Sequence, residues 1–114
     1  MSRQSSTAET ATLTPLMFQI LVALVEGERH GYAIMQQIEE RTGGAFRIGA
    51  GSLYRAIKQL VDAEFIAEAK PKLQVHSQRR YYSITPAGRR RIAAEARLVH
   101  GMVTWAQDAG VLDR

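Results

Sequence analysis

The chain has 114 residues, 46% of them hydrophobic, and a formal net charge of +4, which fits one small domain or one domain with an accessory helix. It contains no cysteine, which excludes disulfides and thiolate metal sites. The N-terminal stretch MSRQSSTAETATL lacks the apolar core of a signal peptide. The longest apolar-rich run, Leu16 to Val25, is about half the length that spans a bilayer. We therefore expect a cytoplasmic protein without a membrane segment.

The positive charge is concentrated in one part of the chain. Residues 66–97 hold eight Lys or Arg residues against two acidic residues, a net charge of +6. Residues 1–65 and 98–114 each have a net charge of −1. Such a basic block is typical of a protein that binds a polyanion such as nucleic acid. The alternative, from charge alone, is a solvated charged face.

The chain begins with a stretch that has no hydrophobic periodicity. Residues 1–13 are rich in Ser, Thr and Ala, and we expect a disordered tail there. Thr14-Pro15 predicts the start of a helix, which continues to Glu26 with apolar residues almost all round before Gly27 ends it. A helix with so little polar surface must be covered on more than one side, so we expect a second subunit to cover part of it.

Two amphipathic helices come next. The first opens at His30-Gly31 and ends at Gly43-Gly44, with its apolar residues on one side. The second begins at Gly51-Ser52 and runs to about Asp62. At about 100° per residue its apolar positions form one buried stripe, which consists of Leu53, Ile57 and Leu60. The polar residues that face away from this stripe are Arg55, Lys58 and Gln59.

Two strand patterns follow, over residues 65–69 and 80–84. The polar stretch between them predicts a hairpin tip, and Thr85-Pro86 then predicts the start of the last helix. The apolar residues of this helix lie on two adjacent faces, one of which is a short heptad-like seam. The seam consists of Ile92, Ala96, Val99, Val103 and Ala106, and the adjacent face of Leu98, Met102, Trp105 and Ala109.

This order of elements predicts a mainly α (α+β) fold. Helix, turn, helix and a basic two-stranded ribbon form the outline of a winged helix-turn-helix, in which one helix enters a DNA groove and the ribbon contacts the neighbouring backbone. We expect this DNA-binding domain over residues 14–85 and a C-terminal dimerisation helix over residues 86–110.

The polar face of the third helix is the candidate for contacting DNA bases. Arg and Lys side chains contact guanine edges or phosphates, Gln pairs with adenine, and Ser52 at the helix start suits a phosphate oxygen. For Tyr54, packing under the wing is the alternative. A cationic wing follows the phosphate backbone or enters the minor groove, and its candidate residues are Lys70, Lys72, His76, Arg79 and Arg80. The competing interpretations are an ordinary exposed helix face and a solubilising hairpin tip.

Apolar residues of the first and last helices are the candidates for a dimer interface. They are Leu16, Phe18, Ile20, Ile92, Ala96, Val99, Val103 and Ala106. An interface lined by aromatic and soft side chains can also hold a flat apolar compound, so Leu98, Met102 and Trp105 are candidates for an effector pocket, with plain interface core as the alternative.

The Arg89-Arg90-Arg91 run starts the last helix, where the macrodipole disfavours cations, and is either a phosphate contact or surface charge.

The sequence offers little for catalysis or metal binding. His30, His76 and His100 are dispersed and lack metal-ligand spacing. Residues 49–54, GAGSLY, begin like a dinucleotide-binding loop but have Tyr54 where the third glycine is needed. The chain has no Walker loop, nucleophile elbow or H-E-x-x-H motif. We therefore expect no enzyme, no cofactor and no bound metal.

Four segments together resemble the PadR family of bacterial transcriptional regulators. They are HGYAI from His30 to Ile34, EERTGG from Glu39 to Gly44, GSLY from Gly51 to Tyr54, and RRYYSITPAG from Arg79 to Gly88. The segments occur in the family's order and spacing, and the resemblance covers about residues 13–103. The short single C-terminal helix is similar to that of the smaller PadR subfamily.

The resemblance implies a dimeric winged-helix regulator, usually a repressor, whose last helix joins the subunits and which responds to a small aromatic effector. It also implies DNA contacts from the third helix and from the base of the wing. The complete set of candidate DNA-binding residues is Tyr32, Ser52, Tyr54, Arg55, Lys58, Gln59, Lys70, Lys72, Arg79 and Arg80.

We therefore predict a homodimer that binds a palindromic operator in double-stranded DNA and regulates transcription, as a repressor released by a small aromatic effector. The first alternative is a winged-helix module that uses the same surfaces to bind another protein. RNA binding is a weaker alternative, because exposed aromatic residues that could stack on bases are scarce.

Overall fold

The structure is a computed structural model that describes residues 13–70 and 79–112. All six predicted helices and strands are present among the described residues, in the predicted order, and one strand is added. The elements are α1 (Pro15–Val25), β1 (Arg29–His30), α2 (Gly31–Arg41), α3 (Ala50–Asp62), β2 (Ile66–Ala69), β3 (Tyr81–Ile84) and α4 (Pro86–Asp108). The mainly helical fold predicted from the sequence is confirmed. The tail expected at residues 1–13 lies, except for Leu13, outside the described residues.

The same Thr-Pro pair starts the first and last helices. The Thr14 hydroxyl accepts a hydrogen bond from the Met17 amide at 3.1 Å, and the Thr85 hydroxyl accepts one from the Gly88 amide at 3.0 Å. In each case proline occupies the first turn, where its missing N–H costs nothing. The helix starts predicted from these pairs are confirmed.

The sheet has three antiparallel strands in the order β1-β3-β2, so the predicted pair β2–β3 is present and a third strand, β1, is added to it. In the added strand, Arg29 pairs with Tyr82 and His30 pairs with Tyr81. A strand of two residues is too short to show an alternating pattern, which explains why the sequence did not reveal it. This strand places the start of α2 beside the base of the wing.

The core lies where α1 crosses the other elements, and α1 packs against α2, α3, β3 and α4. Because of this central position, the chain itself covers most of α1. On α1, Val22 and Val25 remain partly uncovered, with exposed fractions of 39% and 41%. The surface of α1 that was expected to be covered by a second subunit is therefore reduced to these residues. The side chains with the least exposure in this core are Ile20, Leu21, Leu24, Ile34, Leu53, Leu60 and Ile66.

One ion pair lies inside the protein rather than on its surface. Arg91 Nη2 lies 3.5 Å from Glu95 Oε1, and the two side chains are only 10% and 7% exposed. The Arg91 guanidinium carbon also lies 6.0 Å from the centre of the Phe65 ring. Arg91 is therefore neither surface charge nor a phosphate contact, whereas its neighbours Arg89 and Arg90 are exposed.

Within the described residues, no helix has the length and apolarity needed to cross a membrane.

Candidate nucleic-acid interface

Helix α3 is strongly two-sided, as its sequence predicted. Leu53, Ala56, Ile57 and Leu60 are buried in the core, which leaves the opposite face of the helix to solvent. That exposed face carries Ser52, Arg55, Lys58 and Gln59. The helix therefore presents two cations, an amide and a hydroxyl on one side, which are the groups that contact base edges and phosphates.

The polar side chains of α3 are held only weakly by their neighbours. Arg55 Nη2 lies 3.4 Å from the Ser52 hydroxyl, and Lys58 Nζ lies 3.2 Å from the Asp62 carboxylate, with side chains 76% and 64% exposed. Exposed pairs of this kind contribute little to stability. Both cations are therefore available to a stronger anion.

The start of α3 differs in one detail from the prediction. The helix begins at Ala50, and its N-cap is Gly49, which has no side chain to accept a hydrogen bond from the first turn. Ser52 is thus the third residue of the helix rather than its cap. The backbone N–H groups of the first turn precede the first intrahelical bond, which Leu53 donates to Gly49.

Tyr54 lies across the start of α2. A Cβ atom on Gly31 would lie 2.7 Å from Tyr54 Cζ, and it would overlap the phenol oxygen. The absence of a side chain at Gly31 therefore creates the space that the Tyr54 ring occupies. Tyr54 remains 48% exposed, so it is not enclosed beneath the wing.

A cavity of about 350 Å³ at the base of the wing brings residues from three parts of the chain together. It is lined by His30, Gly31, Tyr32, Tyr54, Arg79 and Arg80, and we call it the wing-base pocket. Four of these six residues are sequence-predicted DNA contacts, which the fold thus places side by side. Arg80 also pairs with Glu68 at 3.5 Å, and both of those side chains are more than half exposed.

His30 and Gly31 line this pocket but are not among the DNA contacts predicted from the sequence. The Nδ1 atom of His30 accepts a hydrogen bond from the Ala33 amide at 3.1 Å and so caps α2, and its Nε2 atom lies 2.9 Å from Arg79 Nη1. The ring also meets Tyr81 edge-on, with 5.3 Å between ring centres. The one available signal was its place directly before the helix, in the HGY segment.

Of the remaining predicted wing residues, only Lys70 belongs to the part of the chain that the structure describes, and it does not line the wing-base pocket. Lys70 follows β2 and is exposed, whereas Lys72 and His76 lie outside the described residues. Among residues 13–70 and 79–112, no group of three or more His, Asp or Glu side chains could hold a metal ion.

Tyr82 of β3 is a buried phenol beside this surface, with 5% of the residue exposed. Burial raises the pKa of Tyr82 above its ordinary value of 10.0, and the negative charge of Glu68 raises it further. Arg80 acts in the opposite direction through its charge and a hydrogen bond. Tyr82 is thus a neutral member of the sheet near neutral pH.

The residues predicted to form a dimer interface fall into two groups. Ile20 and Ile92 are 0% and 7% exposed, so these two assignments are replaced by a role in the chain's own core. Packing of α1 at the centre of the fold and of α4 on top of it explains both. The others retain accessible surface: Leu16, Phe18, Val99 and Ala106 are half-buried, and Ala96 and Val103 are exposed.

The proposed effector residues lie on an open face of α4. Leu98 and Met102 are about half exposed, and Trp105 is 74% exposed. In the single chain these side chains therefore form an open surface and not an enclosed pocket. A second apolar surface lies between α1 and α2, where an open groove of about 230 Å³ is lined in part by Phe18, Val22 and Ile38.

Two curated proteins resemble the chain in sequence. One is an uncharacterized protein X from Lysinibacillus sphaericus, which is 31% identical over 82% of this chain and 81% of that protein. The other is an uncharacterized 37.1 kDa protein in transposon TN4556 from Streptomyces fradiae, which is 38% identical over 68% of this chain. The match spans only 21% of the length of the Streptomyces protein.

Solved structures share the fold. A transcriptional regulator from Clostridium thermocellum superimposes with a TM-score of 0.72 at 22% identity, over 95% of this chain and 96% of that one. A PadR family transcription regulator from Clostridium difficile gives the same TM-score and identity over 83% of this chain and 97% of that one.

The family model that matches the chain is that of the transcriptional regulator PadR-like family, and the match covers residues 20–94. This range contains α2, α3 and the sheet, together with most of α1 and the first part of α4. Members of the family are transcriptional regulators and not enzymes. The chain belongs to the PadR-like family of transcriptional regulators.

Proposed function

We propose that this regulator is a homodimeric repressor that binds a palindromic DNA operator through α3 and the base of its wing. The observation that carries the proposal is the exposed face of α3, on which Arg55, Lys58 and Gln59 stand opposite a fully buried apolar stripe. A helix in the major groove needs this arrangement, because one side must bind the protein core while the other contacts base edges.

The roles within this surface follow from side-chain chemistry. Arg55 and Gln59 are the base-contacting candidates, since guanidinium and amide groups form paired hydrogen bonds with guanine and adenine, respectively. Lys58, on the same face, contacts a phosphate or guanine after release of its exposed pair with Asp62. The wing contributes phosphate contacts that set the orientation of α3 in the groove.

The homodimer is supported by apolar surface that the single chain leaves uncovered. On α4, Leu98, Met102 and Trp105 are half exposed or more, and on α1 Val22 and Val25 remain partly exposed. Covering these residues with a second copy would remove an aggregation-prone surface. Two-fold symmetry would then present two copies of α3 about one helical turn of DNA apart, which matches a palindrome.

Repression follows from occupancy of the operator, which blocks access of the polymerase. A small aromatic effector would bind between the subunits beside Trp105 and Met102, both of which suit a flat apolar compound. Release of DNA requires that the effector bind more tightly to a dimer whose α3 helices no longer match the operator.

The test is to sequence the genomic fragments that the purified protein retains, and to titrate the resulting operator at several salt concentrations. Affinity should fall steeply with salt, because each phosphate contact releases a counterion. Arg55→Ala should weaken binding by roughly 1–3 kcal/mol and relax specificity at one position of the half-site. Arg97→Ala, which removes an exposed cation from the middle of α4, is the control and should leave affinity unchanged.

A folded dimer with no affinity for any duplex at low salt would overturn the proposal. That result would favour the protein-interaction module instead. A salt-independent affinity would count against the phosphate contacts of the wing.

A further inference from the structure

We propose that Arg47, in the connector between α2 and α3, is a further DNA-contacting residue that binds one backbone phosphate in each half-site. The inference rests on the proposed DNA-binding function and deepens it, because Arg47 belongs neither to α3 nor to the wing. It predicts a contact that strengthens binding to every duplex and leaves the choice of base sequence to α3.

The connector directs the Arg47 side chain away from the protein. Phe46 and Ile48, on either side of it, are half-buried and pack against the core. Arg47 and Gly49 are exposed, and the backbone of Gly49 is extended. This alternation is that of an extended segment, in which successive side chains point to opposite sides. The side of the connector that carries Arg47 is therefore the side that faces solvent.

The backbone before Arg47 is fixed by Thr42, which ends α2. The Thr42 hydroxyl donates to the Ile38 oxygen at 2.8 Å and accepts from the Phe46 amide at 3.2 Å. The Ala45 amide also donates to the Thr42 oxygen at 3.1 Å. Because this backbone is already ordered in the free protein, a contact from Arg47 requires the ordering of one side chain only.

The charge of Arg47 is not neutralised by a neighbour. Arg47 forms no hydrogen bond or ion pair with any residue that the structure describes. The other four Lys and Arg residues between positions 13 and 62 each contact an acidic or hydroxyl group. They are Arg29 and Arg41, which share Glu26, Arg55, which contacts Ser52, and Lys58, which pairs with Asp62. Arg47 therefore breaks no contact when it binds an anion.

Arg47 is also near the end of α3 at which the exposed polar face begins. It lies two residues before Gly49, the N-cap of α3, and two residues of extended chain span about 7 Å. An added Cβ on Gly51 would lie 3.8 Å from Arg55 Nη1, so the guanidinium of Arg55 lies beside the first turn of the helix. The cation of the connector and the first cation of α3 thus belong to the same end of the helix.

No large side chain separates these two arginines along the exposed surface. Gly49, Ala50 and Gly51 are all exposed and carry nothing larger than a methyl group, so a DNA strand can approach the backbone there closely. A helix in the major groove has phosphates on both of its borders, and residues that flank the helix lie beside those phosphates. A guanidinium matches two phosphate oxygens with paired hydrogen bonds. This position and chemistry favour a phosphate over a base edge as the partner of Arg47.

The experiment compares R47A and R47K with the wild-type chain. Affinity for the operator, and for a shuffled duplex of the same length, is measured at several salt concentrations. R47A should lose about tenfold on both duplexes, and its slope of log affinity against log salt should fall by about one. R47K keeps the charge, so it should retain the wild-type slope and most of the affinity.

The matched control is R41A. Arg41 is an exposed arginine of the same helix-turn-helix, but it is paired with Glu26 at 3.3 Å. R41A should therefore bind both duplexes with the affinity and salt slope of the wild-type protein. Thermal unfolding of R47A should also match that of the wild-type protein, because Arg47 contributes no hydrogen bond or ion pair to the described part of the fold.

Two further measurements separate Arg47 from the base contacts and from the wing. The ratio of operator affinity to shuffled-duplex affinity should stay unchanged in R47A and fall in R55A. Operator duplexes that carry one uncharged methylphosphonate at a time locate the phosphate. At one position per half-site the substitution should weaken the wild-type protein and R79A, and it should leave R47A unaffected.

Three outcomes would overturn the inference and leave the proposed function intact. The first is an operator affinity and a salt slope in R47A that equal those of the wild-type protein. The second is a salt slope in R47K as low as that in R47A, since the charge would then not be the cause. The third is a loss confined to the operator, which would make Arg47 a base contact. If the wild-type protein binds no duplex, the proposed function itself fails.

Discussion

Gly88 of α4 lies against the backbone carbonyl of Phe65, at the end of the turn that joins α3 to β2. A Cβ atom at residue 88 would lie 3.0 Å from the Phe65 carbonyl carbon and 2.8 Å from Ile84 Cγ1. Thr85 strengthens this junction, since its amide donates to the Phe65 oxygen at 3.0 Å and its hydroxyl donates to the Glu64 oxygen at 2.7 Å. The first turn of α4 is thereby docked onto the DNA-binding domain.

Gly88→Ala should therefore destabilise the protein. The new methyl group meets backbone atoms that cannot rotate away, and overpacking of this kind costs about 2 kcal/mol or more. Gly101→Ala is the matched control in the same helix, because no atom lies within 4 Å of its added Cβ. There the better helix propensity of alanine should stabilise by roughly 0.5–1 kcal/mol. Urea unfolding at one protein concentration measures the change in unfolding free energy for both variants. Changes of the same sign would contradict the close packing of Gly88 against Phe65.

The buried Arg91–Glu95 pair and the exposed Lys58–Asp62 pair allow a second comparison. Both pairs have a cation four residues before an acid on a helix, but the side chains are 10% and 7% exposed in the first pair and 76% and 64% exposed in the second. Glu95→Ala leaves a charge inside the protein and should cost about 3 kcal/mol or more. Asp62→Ala should change stability by about 0.5 kcal/mol or less. Similar losses of unfolding free energy would show that burial does not matter here.

Stability should fall at alkaline pH in a way that depends on Tyr82. Burial raises the pKa of this phenol in the folded state above the ordinary 10.0, so the unfolded chain releases its proton first. The resulting stabilisation is complete below pH 10.0 and is lost as pH rises from there through the folded-state pKa. Thermal unfolding at about pH 9 and about pH 11 measures the loss. Tyr82→Phe should show a smaller loss than the wild-type protein, and an equal one would rule out this residue as a cause.

Gly31→Ala should weaken DNA binding more than it weakens folding. The added methyl group displaces the Tyr54 ring, which is exposed enough to swing away at small cost. Alanine is also the better residue within a helix. We expect a several-fold loss of operator affinity with nearly unchanged thermal stability. In a Tyr54→Ala background the Gly31 substitution should have no further effect; an additive loss would mean that Gly31 acts by another route.

Trp105 reports on association without any label. It is the single tryptophan of the chain and is 74% exposed in one subunit, so a dimer that buries it should shift its fluorescence to longer wavelength on dilution. Met102→Lys places a charge on the same face and should yield a monomer whose emission is independent of concentration. Emission that never changes in a wild-type protein with the mass of two chains would place the interface elsewhere, and a mass of one chain at every concentration would overturn the dimer.

The amino-acid sequence alone was sufficient to predict those features that depend on near neighbours in the chain. The Thr14-Pro15 and Thr85-Pro86 pairs marked helix starts because capping involves residues three apart. The exposed face of α3 followed from periodicity because each turn of a helix repeats its orientation. The basic block over residues 66–97 followed from counting the charged residues along the chain.

Tertiary structure alone decided which distant residues meet. Ile20 and Ile92 fit an interface by pattern, yet packing around α1 placed both in the core. The two-residue strand at Arg29 exists only because Tyr82 pairs with it, and that pairing brings His30 to Arg79, 49 residues away. The physical reason is that burial and strand pairing depend on contacts between segments far apart in the chain, and local periodicity carries no information about which segments those are.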